Sequence, residues 1–299
     1  PYGWGAGQGA LYIVLWVLKT LRIINKEMII IKIYISFDFE GLGGIAQWND
    51  VTKNNKDYKQ TYAVRQLEAL LEELKEHEIT LSDSHAEGNN IPWEITEEFP
   101  NVKLISGGIR KYYMMTGIDE SFDRMIFFGY HAGVGEKYST MDHTYSSSSI
   151  HNIWINKVEM NETLINAAYG GSFGVPLAMV VGDDKLKNQL NPYFKHLYYV
   201  ETKRSLGRYS AEFKPMKQLL EEIKSTTKEM IDKNKEYFDV YTFNSPIEMI
   251  VEFSDTSKAD MVESMPLTER IDGRKVKISS DNYRVIFEAL LVITYICGA

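Results

Sequence analysis

The chain has 299 residues, enough for one large or two medium domains with a sizeable core. Its net charge is −8, and its lysines alternate with glutamates in stretches such as LEALLEELKEHE, which argues against a nucleic-acid partner. The single cysteine, Cys297, excludes an internal disulfide framework and is typical of a reducing, cytoplasmic setting. Cys297 lies in the apolar pattern FEALLVITYICG, which predicts a packed helix residue rather than a nucleophile.

Residues 1–27 are predicted to be an N-terminal extension outside the catalytic fold. Their apolar run at residues 11–18 is shorter than the roughly 20 residues of a membrane-spanning helix. No positive charge precedes that run, as a secretory signal would require, so we expect no membrane partner. Met28 is a candidate natural start. An oligomerisation segment and a membrane-surface helix are the alternative interpretations of the extension.

Strands and helices alternate through residues 28–198, which predicts an α/β domain with a mostly parallel sheet flanked by helices. The apolar run at residues 29–37 is typical of a strand buried on both faces, and residues 58–78 have leucines at helical spacing. Further strands are predicted in ITLSDS, VKLISGG, RMIFFGYHAG and VPLAMVVGDD. TYSSSSIHNIWIN is expected to begin as a loop and end as a strand. NETLINAAYGGSFG is expected to form a helix that ends at Gly170 and Gly171.

Residues 199–299 are predicted to form a smaller α+β portion packed against the first domain. A long charged helix begins near Pro215, and PIEMIVEFS alternates like a half-buried antiparallel strand. RIDGRKVKIS has a hairpin turn signal at Asp272-Gly273, and Ser280 or Asp281 is expected to cap a final helix. No Pro/Gly-rich linker separates the two parts, so we expect them to pack tightly.

Carboxylates and imidazoles follow several of the predicted strands. In an open α/β sheet, the carboxyl ends of the strands are where ligands bind, because the connecting loops separate there. Such side chains together form the ligand set of a pair of divalent metals, and one carboxylate can bridge two cations. The candidate metal ligands are Asp38, Glu40, His85, His131 and Glu162.

Each of these residues alone also has an ordinary structural interpretation. Asp-x-Glu at a strand end is weak evidence of metal binding, and His85 or His131 could be hydrogen-bonded residues of a loop or strand end. Glu162 could be a first-turn glutamate favoured by the helix dipole. The joint pattern is stronger, because three strand ends would otherwise carry ligand residues by coincidence.

His143 lies twelve residues after His131 and is predicted to line the same cavity as a proton carrier or a stabiliser of developing charge. A mobile surface histidine is the alternative. Asp183 and Asp184 end another strand and are candidates for holding a ligand in place or contacting the substrate. The other histidines are expected to be structural or surface residues: His77, His151 and His196.

The motifs together resemble those of the zinc-dependent D-aminopeptidase family (DppA-like metallopeptidases), from about residue 31 to the C-terminal helix. They are SFDFEGLGGI, SDSHAEGNN, LISGGIRKYYMMTGID, FFGYHAG, NETLINAAYGGSFGVPLAMVVGDD and ETKRSLGR. The resemblance implies two Zn²⁺ per subunit, with Asp38 bridging both ions. It pairs Glu40 and His85 on one ion, and His131 and Glu162 on the other.

The same resemblance implies a catalytic His143, a short peptide substrate and a homodecamer. On chemical grounds we expect activated water to attack the peptide bond, with His143 as proton carrier or oxyanion stabiliser. The preferred N-terminal residue, whether D-alanine or a small L-residue, stays open. The alternatives are a dinuclear metal phosphoesterase or amidase, and a non-catalytic, metal-dependent peptide-binding assembly.

Overall fold

The computed structural model of the chain describes residues 29–51 and 56–298, so the predicted extension at residues 1–27 lies outside the part that can be compared. Residues Lys32–Ala299 form one compact unit. Within the described ranges, no helix combines the length and the apolar character needed to cross a membrane.

Strands and helices follow one another in the order expected of an α/β protein. The strands are β1 (Lys32–Phe37), β2 (Glu78–Asp83), β3 (Val102–Ile105), β4 (Arg124–Tyr130), β5 (Ile150–Ile155), β6 (Val158–Glu159), β7 (Leu177–Gly182), β8 (Tyr198–Glu201), β9 (Lys203–Gly207), β10 (Ser210–Phe213), β11 (Ile247–Phe253), β12 (Thr268–Asp272) and β13 (Lys275–Ser280). The helices are α1 (Trp48–Val51), α2 (Lys56–Leu71), α3 (Ile95–Glu98), α4 (Glu162–Gly171), α5 (Asp184–Leu190), α6 (Met216–Ile231), α7 (Thr256–Val262) and α8 (Tyr283–Gly298).

The main sheet has six strands in the order β3-β2-β1-β4-β7-β8. Every pair of neighbours in this sheet is parallel. The central strands are apolar throughout because they are covered on both faces, and every residue of β4 and β7 is buried. The predicted fold class, a mostly parallel sheet flanked by helices, is confirmed.

A second, antiparallel sheet has the strand order β12-β13-β11-β5-β6. The strand predicted at the end of TYSSSSIHNIWIN is present as β5, but it pairs with β11 and is not part of the parallel sheet. The predicted strand in PIEMIVEFS and the hairpin at Asp272-Gly273 are confirmed as β11 and as β12–β13. β8, near the predicted start of the C-terminal portion, completes the parallel sheet. The predicted division into residues 28–198 and 199–299 stays a prediction.

Two predicted helix boundaries are wrong. The helix predicted to reach residue 78 ends as α2 at Leu71 and continues as a 3-10 turn, Glu72–Leu74, because β2 already begins at Glu78. At the start of α8, the Arg284 amide donates to the Asn282 side chain at 3.0 Å, whereas the Ser280 hydroxyl accepts from the Asn282 amide before the helix begins. The caps expected from Ser280 or Asp281 are one or two residues too early. Cys297 is buried in α8, as predicted.

Candidate metal centre

The candidate ligands come from three adjacent strand ends and one helix start. β2, β1 and β4 are neighbours in the sheet, so the segments that follow them lie side by side at its carboxyl edge. Asp38 and Glu40 follow β1, His85 follows β2, and His131 follows β4. Glu162 is the first residue of α4, where a carboxylate is favoured by the helix dipole.

The structure brings all five predicted ligands and His143 together in two groups. One group contains Asp38, Glu40 and His85, and the other contains His131, His143 and Glu162. Within each group, one ligand atom from every residue lies within 4.8 Å of the others, and all six residues are buried. Each group therefore has the spacing needed to surround one metal ion.

Asp38 connects the two groups. Its Oδ1 lies 3.4 Å from Nδ1 of His85, and its Oδ2 lies 3.6 Å from Nε2 of His131. The two oxygens of one carboxylate thus face different groups, which is the arrangement of a bridging ligand. Glu162 Oε1 lies 3.7 Å from Nε2 of both His131 and His143.

Backbone hydrogen bonds fix the orientation of two histidines. Nδ1 of His131 lies 2.9 Å from the carbonyl oxygen of Ala132, and Nδ1 of His143 lies 2.8 Å from that of Met141. A carbonyl oxygen only accepts, so Nδ1 must carry the proton in each ring. Nε2 of each ring then presents a lone pair to the site, as a metal ligand or a proton acceptor requires.

Burial controls the protonation of the site. It lowers the pKa of His131 to about 3 and also lowers the pKa of His143, so both imidazoles are neutral near pH 7. Burial and the neighbouring Glu40 raise the pKa of Asp38 to about 7. Burial raises the pKa of Glu162 as well. Three carboxylates in one buried place repel one another, and a cation would relieve that repulsion.

Glu40 and His85 form the closer of the two ion pairs within the first group. Burial opposes charge on Glu40, but the positive charge of His85 outweighs it and holds the Glu40 pKa well below its usual range. The pKa of His85 rises in turn because of Glu40 and Asp38, against the effect of burial. Nδ1 of His85 lies 2.8 Å from Oε2 of Glu40. A protonated His85 therefore supplies the positive charge that faces Glu40 and Asp38.

Close approach of two backbone segments sets the position of Asp38. The Asp38 amide donates to the carbonyl of Phe128 at 2.7 Å, and the Gly41 amide donates to that of Gly129 at 2.6 Å. Gly129 has a φ of +81°, and a Cβ there would overlap the carbonyl oxygen of Asp38. Glycine at this position lets the loop after β1 lie directly on the end of β4.

Asp183 and Asp184 lie behind the site and not within it. The Asp183 carboxylate accepts from the amides of Lys185 and Leu186 at the start of α5, and from the Ala132 amide at 3.1 Å. It therefore supports the backbone directly after His131. Asp184 accepts from the Ser205 amide at 2.7 Å. The histidines expected to be structural or surface residues also lie outside both groups: His77, His151 and His196.

Lys203 is a functional candidate that the sequence analysis missed. It is fully buried, and its ammonium group donates to the carbonyls of Glu40, Leu42 and Ile45, the last at 2.7 Å. It thereby fixes the loop that carries Glu40. Lys203 lies within the motif ETKRSLGR, but nothing in the charge pattern distinguishes it from a surface lysine.

The site opens into a cavity of about 350 Å³ that we call the metal cavity. Asp38, Glu40, His85, His143 and Glu162 lie on its floor. Its walls are largely aromatic and apolar, and the sequence analysis did not identify them: Trp48, Val51, Tyr113, Met114 and Tyr145. The Trp48 ring lies edge-on to the His143 ring, with 5.3 Å between their centroids.

The donor atoms of the site fit a pair of divalent metals. Oδ2 of Asp38, Oε2 of Glu40 and Nε2 of His131 are buried and have no partner with hydrogen-bond geometry among the described residues. The 2.8 Å contact between Glu40 and His85 is close, but it does not meet that geometry. Buried polar atoms are normally satisfied, so three such atoms facing one another indicate a ligand between them. Imidazole nitrogen and carboxylate oxygen are the donors that zinc prefers beside thiolate.

A parallel α/β fold with buried carboxylates and imidazoles at its strand ends is typical of an enzyme that uses divalent metals. Comparison with known proteins identifies the class. The sequence profile of the D-aminopeptidase family matches residues 31–292. The D-aminopeptidase of Bacillus subtilis (strain 168) is 27% identical over 272 residues, covering 88% of this chain and 96% of that protein.

A solved structure, that of the Zn-dependent D-aminopeptidase DppA from Bacillus subtilis, a self-compartmentalizing protease, has a TM-score of 0.83. It is 24% identical in sequence and covers 89% of this chain and 98% of that one. This likeness establishes the fold. The chain belongs to the D-aminopeptidase family, which is a family of peptide hydrolases, and the family predicted from the motifs is confirmed.

Proposed function

We propose that the protein is a dinuclear zinc aminopeptidase that removes an N-terminal D-alanine-type or small L-residue from short peptides. The observation that carries this proposal is the pair of ligand groups joined by Asp38, whose two oxygens face different histidines. The zinc dependence of the DppA relative supports zinc as the metal. Asp38 would bridge both ions, Glu40 and His85 would hold one, and His131 and Glu162 would hold the other.

The bound ions would act as Lewis acids that activate water and polarise the scissile carbonyl. The protein's own residues orient the substrate and move the protons. The free amine of the peptide would lie in the metal cavity and donate hydrogen bonds to the carboxylate oxygens that line it. Trp48, Tyr113 and Tyr145 shield the reacting bond from bulk water.

His143 is suited to accept and return a proton. It lines the metal cavity and is neutral near pH 7, and its Nε2 has its lone pair towards the site. A neutral imidazole can take the proton of the attacking water and pass it to the leaving amine. Since Nε2 of His143 is also within ligand distance of the His131 group, a role as an additional ligand is the competing assignment.

We further propose that the protein works in the cytoplasm as a homo-oligomer of ten copies, the number that the family resemblance of its motifs implies. The self-compartmentalizing DppA relative supports an assembly of several copies. Sedimentation velocity of the full chain measures the assembly directly: a species of about ten times 34.4 kDa is expected, and a monomer would refute the proposal.

The proposed activity is tested by release of free amino acid from matched D- and L-alanyl dipeptides and tripeptides. Zinc-loaded and chelator-treated protein are compared side by side, and metal content is measured for both. We expect release only from the zinc-loaded protein, with two zinc ions per chain. The ratio of the D- to the L-series gives the stereochemical preference.

No release from either series with zinc bound would refute the peptidase proposal. Hydrolysis of an aryl phosphate by the same sample would then identify a phosphoesterase. Peptide binding without turnover would instead identify a peptide-binding protein.

A further inference from the structure

A second cavity of about 320 Å³ adjoins the metal cavity. We call it the annex. Four residues line both cavities, namely Ala86, Tyr113, Tyr145 and Ser146. The two cavities are therefore adjacent, with the same residues on their common side.

The far wall of the annex is the final helix. Leu291, Thr294 and Tyr295 of α8 line it, and their spacing of three and four residues places them on one helix face. Leu291 is buried, whereas Ile109 on the opposite rim is 83% exposed. The annex thus leads from the buried metal centre to the protein surface.

The side chains that line the annex are largely aromatic and carry no charge. The ring of Tyr113 stands between those of Tyr145 and Tyr295, with centroid distances of 6.1 Å and 6.2 Å. Among the described residues that line the annex, there is no Asp, Glu, Lys, Arg or His. Burial of a charged side chain there would be unfavourable, because no residue of the lining could pair with it.

The nearby Arg110 does not supply a charge to the annex. Its guanidinium donates to the carbonyls of Tyr113 and Gly107 and to the hydroxyl of Ser82, and its backbone carbonyl accepts from the Tyr295 hydroxyl at 3.3 Å. These bonds direct the guanidinium towards the protein backbone. Among the described residues that line the annex, no cationic side chain is therefore present to pair with the terminal carboxylate of a dipeptide.

We propose that the annex is the binding site for an apolar or aromatic side chain on the second residue of the peptide, directly after the scissile bond. The inference rests on the proposed function. An aminopeptidase has a single residue before the scissile bond, and its amine belongs at the carboxylates of the metal centre. The rest of the peptide must leave that centre, and the annex is the space beyond Tyr113 and Tyr145.

The test is a series of tripeptides, D-Ala-X-Gly and L-Ala-X-Gly, with glycine, leucine, phenylalanine, aspartate or lysine at X. Leucine or phenylalanine is expected to raise kcat/KM about tenfold over glycine, as for partial burial of one apolar side chain. Aspartate and lysine are expected to fall below glycine. Moving phenylalanine to the third position is expected to remove the gain.

Thr294→Lys places a positive charge in the annex and is expected to reverse the preference, so that aspartate at X becomes better than lysine and phenylalanine. The matched control is Val292→Lys, on the same helix but on an exposed position outside the annex, which should keep the original preference. Leu291→Ala enlarges the annex and provides a second variant, expected to weaken the preference for leucine over glycine at X.

Binding is also measured without turnover. Peptide analogues with a methylene in place of the first carbonyl cannot be hydrolysed, and calorimetry on the zinc-loaded full chain compares phenylalanine with glycine at X. Tighter binding of the phenylalanine analogue, by about tenfold, is expected.

Two outcomes would overturn the inference in distinguishable ways. Equal release from all tripeptides, or a preference that follows the first residue instead of the second, would refute the annex as the binding site of the second residue. The proposed aminopeptidase activity would still stand. No release from any peptide, the glycine peptide included, would refute both the proposed aminopeptidase activity and the proposed role of the annex.

Discussion

At the scale of single residues, the substitution of His143 tests whether a side chain of the site transfers protons during the reaction. We predict that His143→Ala lowers kcat by about 10²–10⁴-fold and retains two zinc ions, because a lost general base affects chemistry and not metal affinity. Turnover and zinc content are measured together. His151→Ala, at an exposed histidine, is the control and should change neither.

Loss of one zinc ion together with activity in His143→Ala would contradict this prediction and make His143 a ligand. Nearly normal turnover with both ions retained would remove His143 from the reaction.

We predict that the ammonium group of Lys203 holds the loop after β1 in its position. In Lys203→Met, the carbonyls of Glu40, Leu42 and Ile45 lose their buried donor, so the free energy of unfolding should fall by about 2–4 kcal/mol. Zinc affinity should fall too, because Glu40 loses its fixed position. Calorimetric unfolding and zinc titration measure the two effects.

The control for Lys203 is Lys217→Met, whose side chain is 90% exposed and should be nearly neutral. Unchanged stability in both variants would show that the buried ammonium group is not needed.

His131 gives the metal-free protein a defined pH dependence. Its pKa is about 3 in the folded protein and 6.5 when unperturbed, so between these values the unfolded state binds the extra proton. The contribution of His131 to the free energy of unfolding should therefore fall as the pH is lowered from 6.5 towards 3, by up to about 1.4 kcal/mol per pH unit. Asp38, whose pKa burial raises to about 7, contributes with the opposite sign, so the effect of His131 is the difference between the wild-type protein and His131→Gln. Denaturant unfolding of chelated protein at several pH values measures the slope.

His131→Gln lacks the titrating group, and its slope over the same pH range should be smaller. Identical slopes in the two proteins would contradict a neutral, buried His131.

At the scale of secondary-structure elements, the two ends of the parallel strands have different roles. Residues at the amino ends stabilise the fold, and residues after the carboxyl ends form the candidate metal centre. Arg124, at the start of β4, is buried and donates to the carbonyls of Met230 and Lys233 at the end of α6, at 3.0 Å and 2.9 Å. Met230 lies in the last turn of α6, and Lys233 lies two residues beyond the end of that helix. The residue therefore fastens α6 to the sheet at the end opposite His131.

We predict that Arg124→Leu lowers the free energy of unfolding by about 2–4 kcal/mol and leaves kcat unchanged in the fraction that remains folded. Thermal unfolding and turnover at low temperature separate the two effects. Arg65→Leu, on the exposed face of α2, is the control. A loss of kcat in Arg124→Leu would show that the two edges of the sheet are coupled.

The elements also show why part of the structure was predictable. Asp38, His85 and His131 each follow a buried apolar run, and strand ends in a parallel sheet meet by topology alone. The cavity walls depend on loop geometry instead: Tyr113 and Tyr145 have φ values of +41° and +62°, which no local pattern indicates. The partner strand of β5 lies about 100 residues further along the chain, at β11, and short-range periodicity cannot identify it.

At the scale of the whole molecule, the ligands are spread from Asp38 to Glu162 and are brought together only when the sheet is complete. We predict that zinc stabilises the folded protein, by about 4 kcal/mol per site at a free concentration a thousand times its Kd. The effect should appear in a slower rate of unfolding, with the rate of refolding nearly unchanged.

Stopped-flow refolding and unfolding with zinc and with chelator measure both rates. If zinc accelerates refolding by the same factor by which it slows unfolding, the site forms early in folding.

The residues proposed to hold the metals and those that line the annex come from distant parts of the chain. The ligands end with Glu162, whereas Leu291, Thr294 and Tyr295 belong to the last helix. Changes in that helix can therefore accumulate during evolution without any ligand being replaced. Enzymes that descend from one ancestral hydrolase can in this way acquire different substrate preferences while they keep the same reaction.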